Sequence, residues 1–92
     1  MAVSIVLPVS RAAAELASCL ASLERTLPHG VRVWVADDAS PDAEVAQVLA
    51  QARARGVLDL HVVRRPANLG FVGNVNLALA ETAPDDVILL NS

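Results

Sequence analysis

Ninety-two residues suffice for one small domain with a limited core. At 54% hydrophobic the chain is too apolar for intrinsic disorder, and seven Arg with no Lys against ten acids, a formal net charge of -3, exclude a phosphate-tracking nucleic-acid surface. No apolar run approaches the roughly 20 residues of a membrane span, Met1-Ala2-Val3-Ser4 has no basic leader region, and the single Cys19 suits a reducing cytoplasm, the compartment expected here.

Residues 3–9 form an apolar run ending near Pro8, the pattern of a buried parallel strand. Ser10 is placed to cap a first helix, in which Leu16, Cys19, Leu20 and Leu23 recur at offsets of three and four and make one apolar face. Pro28-His29-Gly30 ends that helix. Residues 31–36 predict a second strand with Asp37 and Asp38 at its carboxyl end. Ser40-Pro41-Asp42 then reads as an N-cap, a proline at the first helical position and an acid in the first turn. The second helix turns Val45, Val48, Leu49 and Ala52 inward and stops near Gly56. Residues 58–63 make a third strand and 66–70 a loop. Residues 71–81 make a third helix with Phe71, Val75, Ala78 and Leu79 inside, and 87–90 a last strand.

Strict alternation of strand and helix implies an α/β fold: a mainly parallel sheet of about four strands with right-handed crossovers and helices on both faces. In a three-layer, Rossmann-like order 3-2-1-4 a crevice opens between strands one and four, beyond their carboxyl ends, where ligands of open parallel sheets bind. Residues 1–92 form one unit with no internal boundary. An unpaired apolar last strand at 87–90 is expected to self-associate or to be completed by further chain, so the unit reads as a portion of a larger domain.

The strand ends carry Pro8-Val9-Ser10, Asp37-Asp38, Arg64-Arg65 and Asn91-Ser92. Adjacent carboxylates on one loop do not easily point the same way. One can accept from a ribose hydroxyl or a base N–H while the other holds the turn; the plainer alternative is a pair of solvated turn acids. No glycine-rich turn follows the first strand and no phosphate-loop lysine is present, so dinucleotide and triphosphatase modes are excluded. Asn68-Leu69-Gly70-Phe71-Val72-Gly73-Asn74-Val75-Asn76 is denser in information: Gly70 permits positive φ, Gly73 permits close packing, and Asn68 and Asn74 can bond locally or to a ligand. Phe71 is expected in the core. Trp34 is also expected in the core, Arg64 and Arg65 at a solvated strand end or in a binding patch, and His61 on the surface of an edge strand. Cys19, on a packed face, is no nucleophile.

Taken in order, Val3-Ser4-Ile5-Val6-Leu7-Pro8-Val9, Val35-Ala36-Asp37-Asp38-Ala39-Ser40-Pro41-Asp42, the segment from Asn68 to Asn76, and Asp86-Val87-Ile88-Leu89-Leu90-Asn91-Ser92 resemble the opening of the family 2 glycosyltransferases, which have the GT-A fold. The resemblance covers essentially the whole chain. It implies a GT-A half-domain serving as the donor-nucleotide-binding part of an inverting glycosyltransferase, which moves a sugar from a UDP, dTDP or GDP sugar to an acceptor hydroxyl in glycan or polysaccharide synthesis.

By the same resemblance Pro8 and Val9 line the donor pocket, Asp38 contacts base or ribose with Asp37 secondary, and Asn68, Gly70 and Asn74 shape the pocket around the third helix. Ser92 stands immediately before the position of the family's acidic metal motif. A divalent Mg or Mn ion gripping the donor diphosphate is therefore expected of the complete enzyme, with its ligands outside these residues, and no transferase activity is expected of these residues alone. Ser10-Arg11 departs from the aromatic-Asn pair of many relatives, which leaves the base open. The alternative is a non-catalytic nucleotide-binding or assembly domain of the same fold.

Overall fold

The structure is a computed structural model that describes residues 2–10 and 12–90. The elements are β1 (Val3–Val9), α1 (Ala13–Thr26), β2 (Arg32–Asp37), α2 (Ala43–Arg55), β3 (Asp59–Arg64), α3 (Gly70–Thr82) and β4 (Asp86–Leu89). All strand pairs are parallel, as the alternation implies, and their order is β3-β2-β1-β4, the expected 3-2-1-4.

Period-two alternation divides the sheet residues between two helical layers. On one face Ile5, Leu7 and Val9 of β1 and Val33 and Val35 of β2 pack against Leu16, Leu20 and Leu23 of α1 and Val45, Leu49 and Ala52 of α2. On the other face α3 alone supplies a cover, through Ala78 over Val6 and Ala36, with Trp34 and Val87 alongside. This second layer is thin: Leu89 of β4, beside Val6, and Leu77 of α3 remain exposed, and on the opposite face Ile88, beside Ile5, is exposed as well. Trp34 is half-buried and stacks on His61 of the outer strand, with ring centroids 5.7 Å apart.

Register aligns the carboxyl ends of three strands: Val9 is opposite Asp37, and Asp37 is opposite Arg64. The second loop is therefore held level with the ends of both neighbours, which is what positions the site.

Three local expectations are corrected. Helix α1 takes Ala12 as its N-cap, in the left-handed region at φ 67, with no side-chain cap, while Ser10 is an exposed bend. Helix α2 is capped by Asp42, whose carboxylate accepts the Glu44 N–H at 2.9 Å. Ser40 is not the cap because its own N–H is held by Asp37, which keeps it in the preceding turn. Helix α3 turns Asn74, Val75, Ala78 and Thr82 inward, leaving Phe71 53% and Leu79 42% exposed. The buried polar bonds of Asn74 set this rotation, because an unpaired buried amide costs more than an exposed apolar side chain.

Candidate functional site

The second strand runs directly into two buried carboxylates with different partners. Asp37 accepts the Ser40 N–H at 2.9 Å through Oδ1 and the Arg64 guanidinium at 3.1 Å through Oδ2, so it closes its own turn and ties β2 to β3. Arg64 also donates to the Ser40 carbonyl at 2.9 Å. Asp38 points the other way. Its Oδ1 accepts the Leu69 N–H at 2.7 Å and its Oδ2 accepts the Gly70 N–H at 3.0 Å. A carboxylate at a helix start satisfies amides that have no partner within the helix and complements the positive end of its dipole. Between the two carboxylates' turns Ala39 adopts φ 55, a left-handed conformation that costs a non-glycine residue about 1 kcal/mol or more.

Asn68 completes the junction. Its Oδ1 accepts the same Gly70 N–H at 3.0 Å, and its Nδ2 makes a long 3.4 Å contact to the Asp38 carbonyl. Gly70 itself has φ +79, a backbone that favours glycine, and lets the chain turn from the loop into α3. Gly73 serves differently from expectation: a Cβ there would meet Leu69 Cβ of the same helix start at 3.2 Å, not a neighbouring element.

Beneath this junction lies a polar network that composition did not reveal. Arg65 is only 3% exposed, which corrects its expected place at a solvated strand end. Its Nε donates to Asn74 Oδ1 at 2.8 Å, while its two terminal nitrogens meet Glu81 Oε1 and Oε2 at 2.8 Å in a two-pronged pair. Asn74 Nδ2 in turn donates to the Ala36 carbonyl at 2.9 Å. Arg65 thus bolts the end of β3 to α3, and Asn74 bolts α3 to β2. A signal existed in the sequence: Asn74 and Glu81 are seven residues apart and share a helix face, a spacing able to receive one guanidinium.

Pro8, Val9, Ser10, Asp38, Asn68, Gly70, Phe71 and Asn74 surround a cleft of about 270 Å³ between the end of β1 and the start of α3. The structure therefore brings together Pro8, Val9, Asp38, Asn68, Gly70 and Asn74, all singled out from sequence. Asp37 lies behind them, facing a separate groove between α2 and β3. Ser92 and Arg11 fall outside the described residues. Phe71, expected in the core, instead stands half in solvent at the cleft wall.

The described residues do not supply a metal site. No three His, Cys, Asp or Glu side chains among them converge, and the oxygens of Asp37 and Asp38 already accept from Ser40, Arg64, Leu69 and Gly70.

A family model for glycosyl transferase family 2 matches residues 4–92. The chain belongs to this family. In a direct comparison with curated proteins, no sequence matches it. Among solved structures, this family 2 chain is similar to a mannosyltransferase, PcManGT from Pyrobaculum calidifontis, in complex with GDP-Man and Mn2+; identity is 18%, the TM-score is 0.76, and the match covers 97% of this chain and 26% of that one. That likeness concerns fold alone. S. aureus TarS 1-349 in complex with UDP-GlcNAc is 25% identical, with a TM-score of 0.80, over 99% of this chain and 26% of that one. A second structure of TarS 1-349 gives 26% identity and a TM-score of 0.77 over 99% and 27% of the two chains. The family 2 chain described here thus spans about a quarter of the length of these solved chains. Among its described residues no helix is long and apolar enough to cross a membrane.

Proposed function

We propose that this chain is the donor-nucleotide-binding part of an inverting glycosyltransferase that moves a sugar from a nucleoside diphosphate sugar to an acceptor hydroxyl. The observation that carries the proposal is the cleft at the carboxyl ends of β1 and β2, walled by Pro8 and Val9 and closed by the Asp38-anchored start of α3. Such a position is where open parallel sheets take their ligands, and family membership makes a nucleotide sugar the ligand class. The relatives solved with GDP-Man and with UDP-GlcNAc support a diphosphate donor without choosing the base.

In this proposal Pro8 and Val9 form the apolar wall of the pocket. Asp38 keeps lone pairs beyond those used by Leu69 and Gly70, and these accept from a base N–H or a ribose hydroxyl. Asn68 and Gly70 shape the floor, Asn74 fixes the phase of α3, and Asp37 holds the turn behind; Ser92, outside the described residues, is assigned to the donor site by its place in the family pattern. The Mg or Mn ion of the complete enzyme is assigned to residues other than those described. A cytoplasmic place of action is part of the same proposal and rests on the lone thiol of Cys19.

The test is an amide-resolved NMR titration of this chain with UDP, dTDP and GDP, with and without Mg2+. Shifts concentrated at Val9, Asp38, Asn68 and Gly70 are expected. A dispersed spectrum with no localised shift for any nucleotide at millimolar concentration refutes the site.

One observation favours a second role, as an assembly domain. Ile88 and Leu89 are exposed on β4, the outer strand beside β1, at 52% and 43%, and an apolar strand edge invites pairing. Sedimentation showing a concentration-dependent dimer that Ile88→Lys abolishes supports that role; a monomer at all concentrations removes it.

A further inference from the structure

We infer that Phe71 is the ring platform on which the base of the bound nucleotide stacks, an inference that rests on the nucleotide-binding function proposed above. The chain has one Phe, one Trp and no Tyr. Trp34 is engaged with His61 and lies among the residues packed around Val6, Ala36 and Ala78, so among the described residues lining the cleft Phe71 is the only aromatic.

Its exposure is built in by the backbone on both sides. Immediately before it, Gly70 is pinned through one N–H to Asp38 Oδ2 and Asn68 Oδ1. Three residues after it, Asn74 is locked between the Ala36 carbonyl and Arg65. These anchors set the entry and the rotation of α3 and leave Phe71 53% exposed at the cleft wall. A ring held by such anchors loses little freedom when a ligand meets it.

The surroundings define what the ring receives. Pro8 and Val9 supply further apolar wall, while Asp38 and Asn68 place oxygen acceptors beside it. A planar heterocycle with two π-faces and a polar edge satisfies both features at once, whereas a phosphate uses only the polar one. At 270 Å³ the cleft lies just under the roughly 300–1,000 Å³ of ligand pockets, which suits one ring system with its ribose. Stacking on a phenyl face is tolerant of base identity, because every base presents a π-face. Phe71 therefore contributes affinity without selecting among uridine, thymidine and guanosine.

The test compares the unchanged chain with Phe71→Leu and Phe71→Tyr, each checked for a dispersed amide spectrum, by titration with UDP, GDP and ribose 5-phosphate. In the unchanged chain the base protons of UDP are expected to move upfield under the ring current. Phe71→Leu is expected to weaken UDP and GDP by about tenfold and abolish the upfield shift. Phe71→Tyr is expected to retain both, and ribose 5-phosphate to bind the unchanged chain and Phe71→Leu alike. If UDP binds Phe71→Leu as it binds the unchanged chain, with the same base-proton shifts, the platform is overturned while the nucleotide site stands. If UDP does not bind the unchanged chain at all, the nucleotide site itself has failed and the platform falls with it.

Discussion

Asp38 reaches Gly70 across 32 positions of sequence, its carboxylate taking the glycine N–H at 3.0 Å and the adjoining Leu69 N–H at 2.7 Å. One side chain at the end of β2 thereby sets where α3 begins, and the cleft wall depends on it. Asp38→Asn keeps the shape but turns one acceptor into a donor, so one of the two amides loses its bond to this side chain and faces an N–H instead; Gly70 then keeps only Asn68 Oδ1, or Leu69 keeps nothing. The expected cost is about 1–3 kcal/mol in urea unfolding, with faster hydrogen exchange at Leu69 and Gly70. Unchanged exchange at both amides contradicts the anchoring role.

The Arg65–Glu81 pair predicts a strongly non-additive cycle. Glu81 is partly open to water, with its side chain 29% exposed, whereas the Arg65 side chain is 3% exposed. Removing Glu81 leaves a buried guanidinium with only Asn74 to satisfy it. Glu81→Ala is therefore expected to cost about 3–5 kcal/mol, a large part of the roughly 5–15 kcal/mol that holds an ordinary domain together. Arg65→Met is expected to cost less, because Glu81 can rehydrate. In the double variant Arg65→Met with Glu81→Ala much of the loss is expected to return. Additive losses in a denaturation cycle sink this account.

The two glycines flanking Phe71 respond to a methyl group for different reasons. At Gly70 an added Cβ meets nothing within 4 Å, yet φ +79 strains any L-residue, so Gly70→Ala is expected to destabilise by about 1 kcal/mol. At Gly73 the Cβ meets only Leu69 Cβ at 3.2 Å. That Cβ is fixed to a backbone which Asp38 holds through the Leu69 N–H at 2.7 Å, so the crowding offsets the gain in helix propensity and Gly73→Ala is expected to change stability by less than about 1 kcal/mol. Thermal melts that rank Gly70→Ala above Gly73→Ala contradict both assignments.

Burial on the inner side of α1 pushes the Cys19 thiol above its ordinary value. The folded state thus holds this proton more tightly than the unfolded state does. The associated stability is fully present at neutral pH and is lost as pH rises through the raised folded value. Alkylation by iodoacetamide at pH 7.5 is expected to be slower in the folded chain than in urea, since the thiolate is the reactive form. Equal rates in both conditions dispose of the claim.

Local pattern was sufficient for much of the architecture. The β1 run from Val3 to Val9, the α1 stripe of Leu16, Leu20 and Leu23, and the alternation of strand and helix carry the parallel sheet and its helical layers. These features are legible because hydrophobic periodicity is written in neighbouring residues. The gathering of Pro8, Val9, Asp38, Asn68, Gly70 and Asn74 also follows from topology, since parallel strands deliver their carboxyl ends to one side.

Tertiary structure decided the rest, and in each instance a polar group met a partner far along the chain. Asn74 bonds to Ala36, 38 residues away, and Arg65 to Glu81, 16 residues away. Those bonds rotate α3 so that Phe71, apolar and in phase with Val75, faces the cleft instead of the core. The sequence by itself determined which elements form and that they pack as a parallel sheet between helices, because apolar burial is summed over local stripes. The direction in which Asp38, Arg65 and Phe71 point was decided only by the fold, because satisfying a buried donor or acceptor depends on one particular atom that only folding brings within about 3 Å.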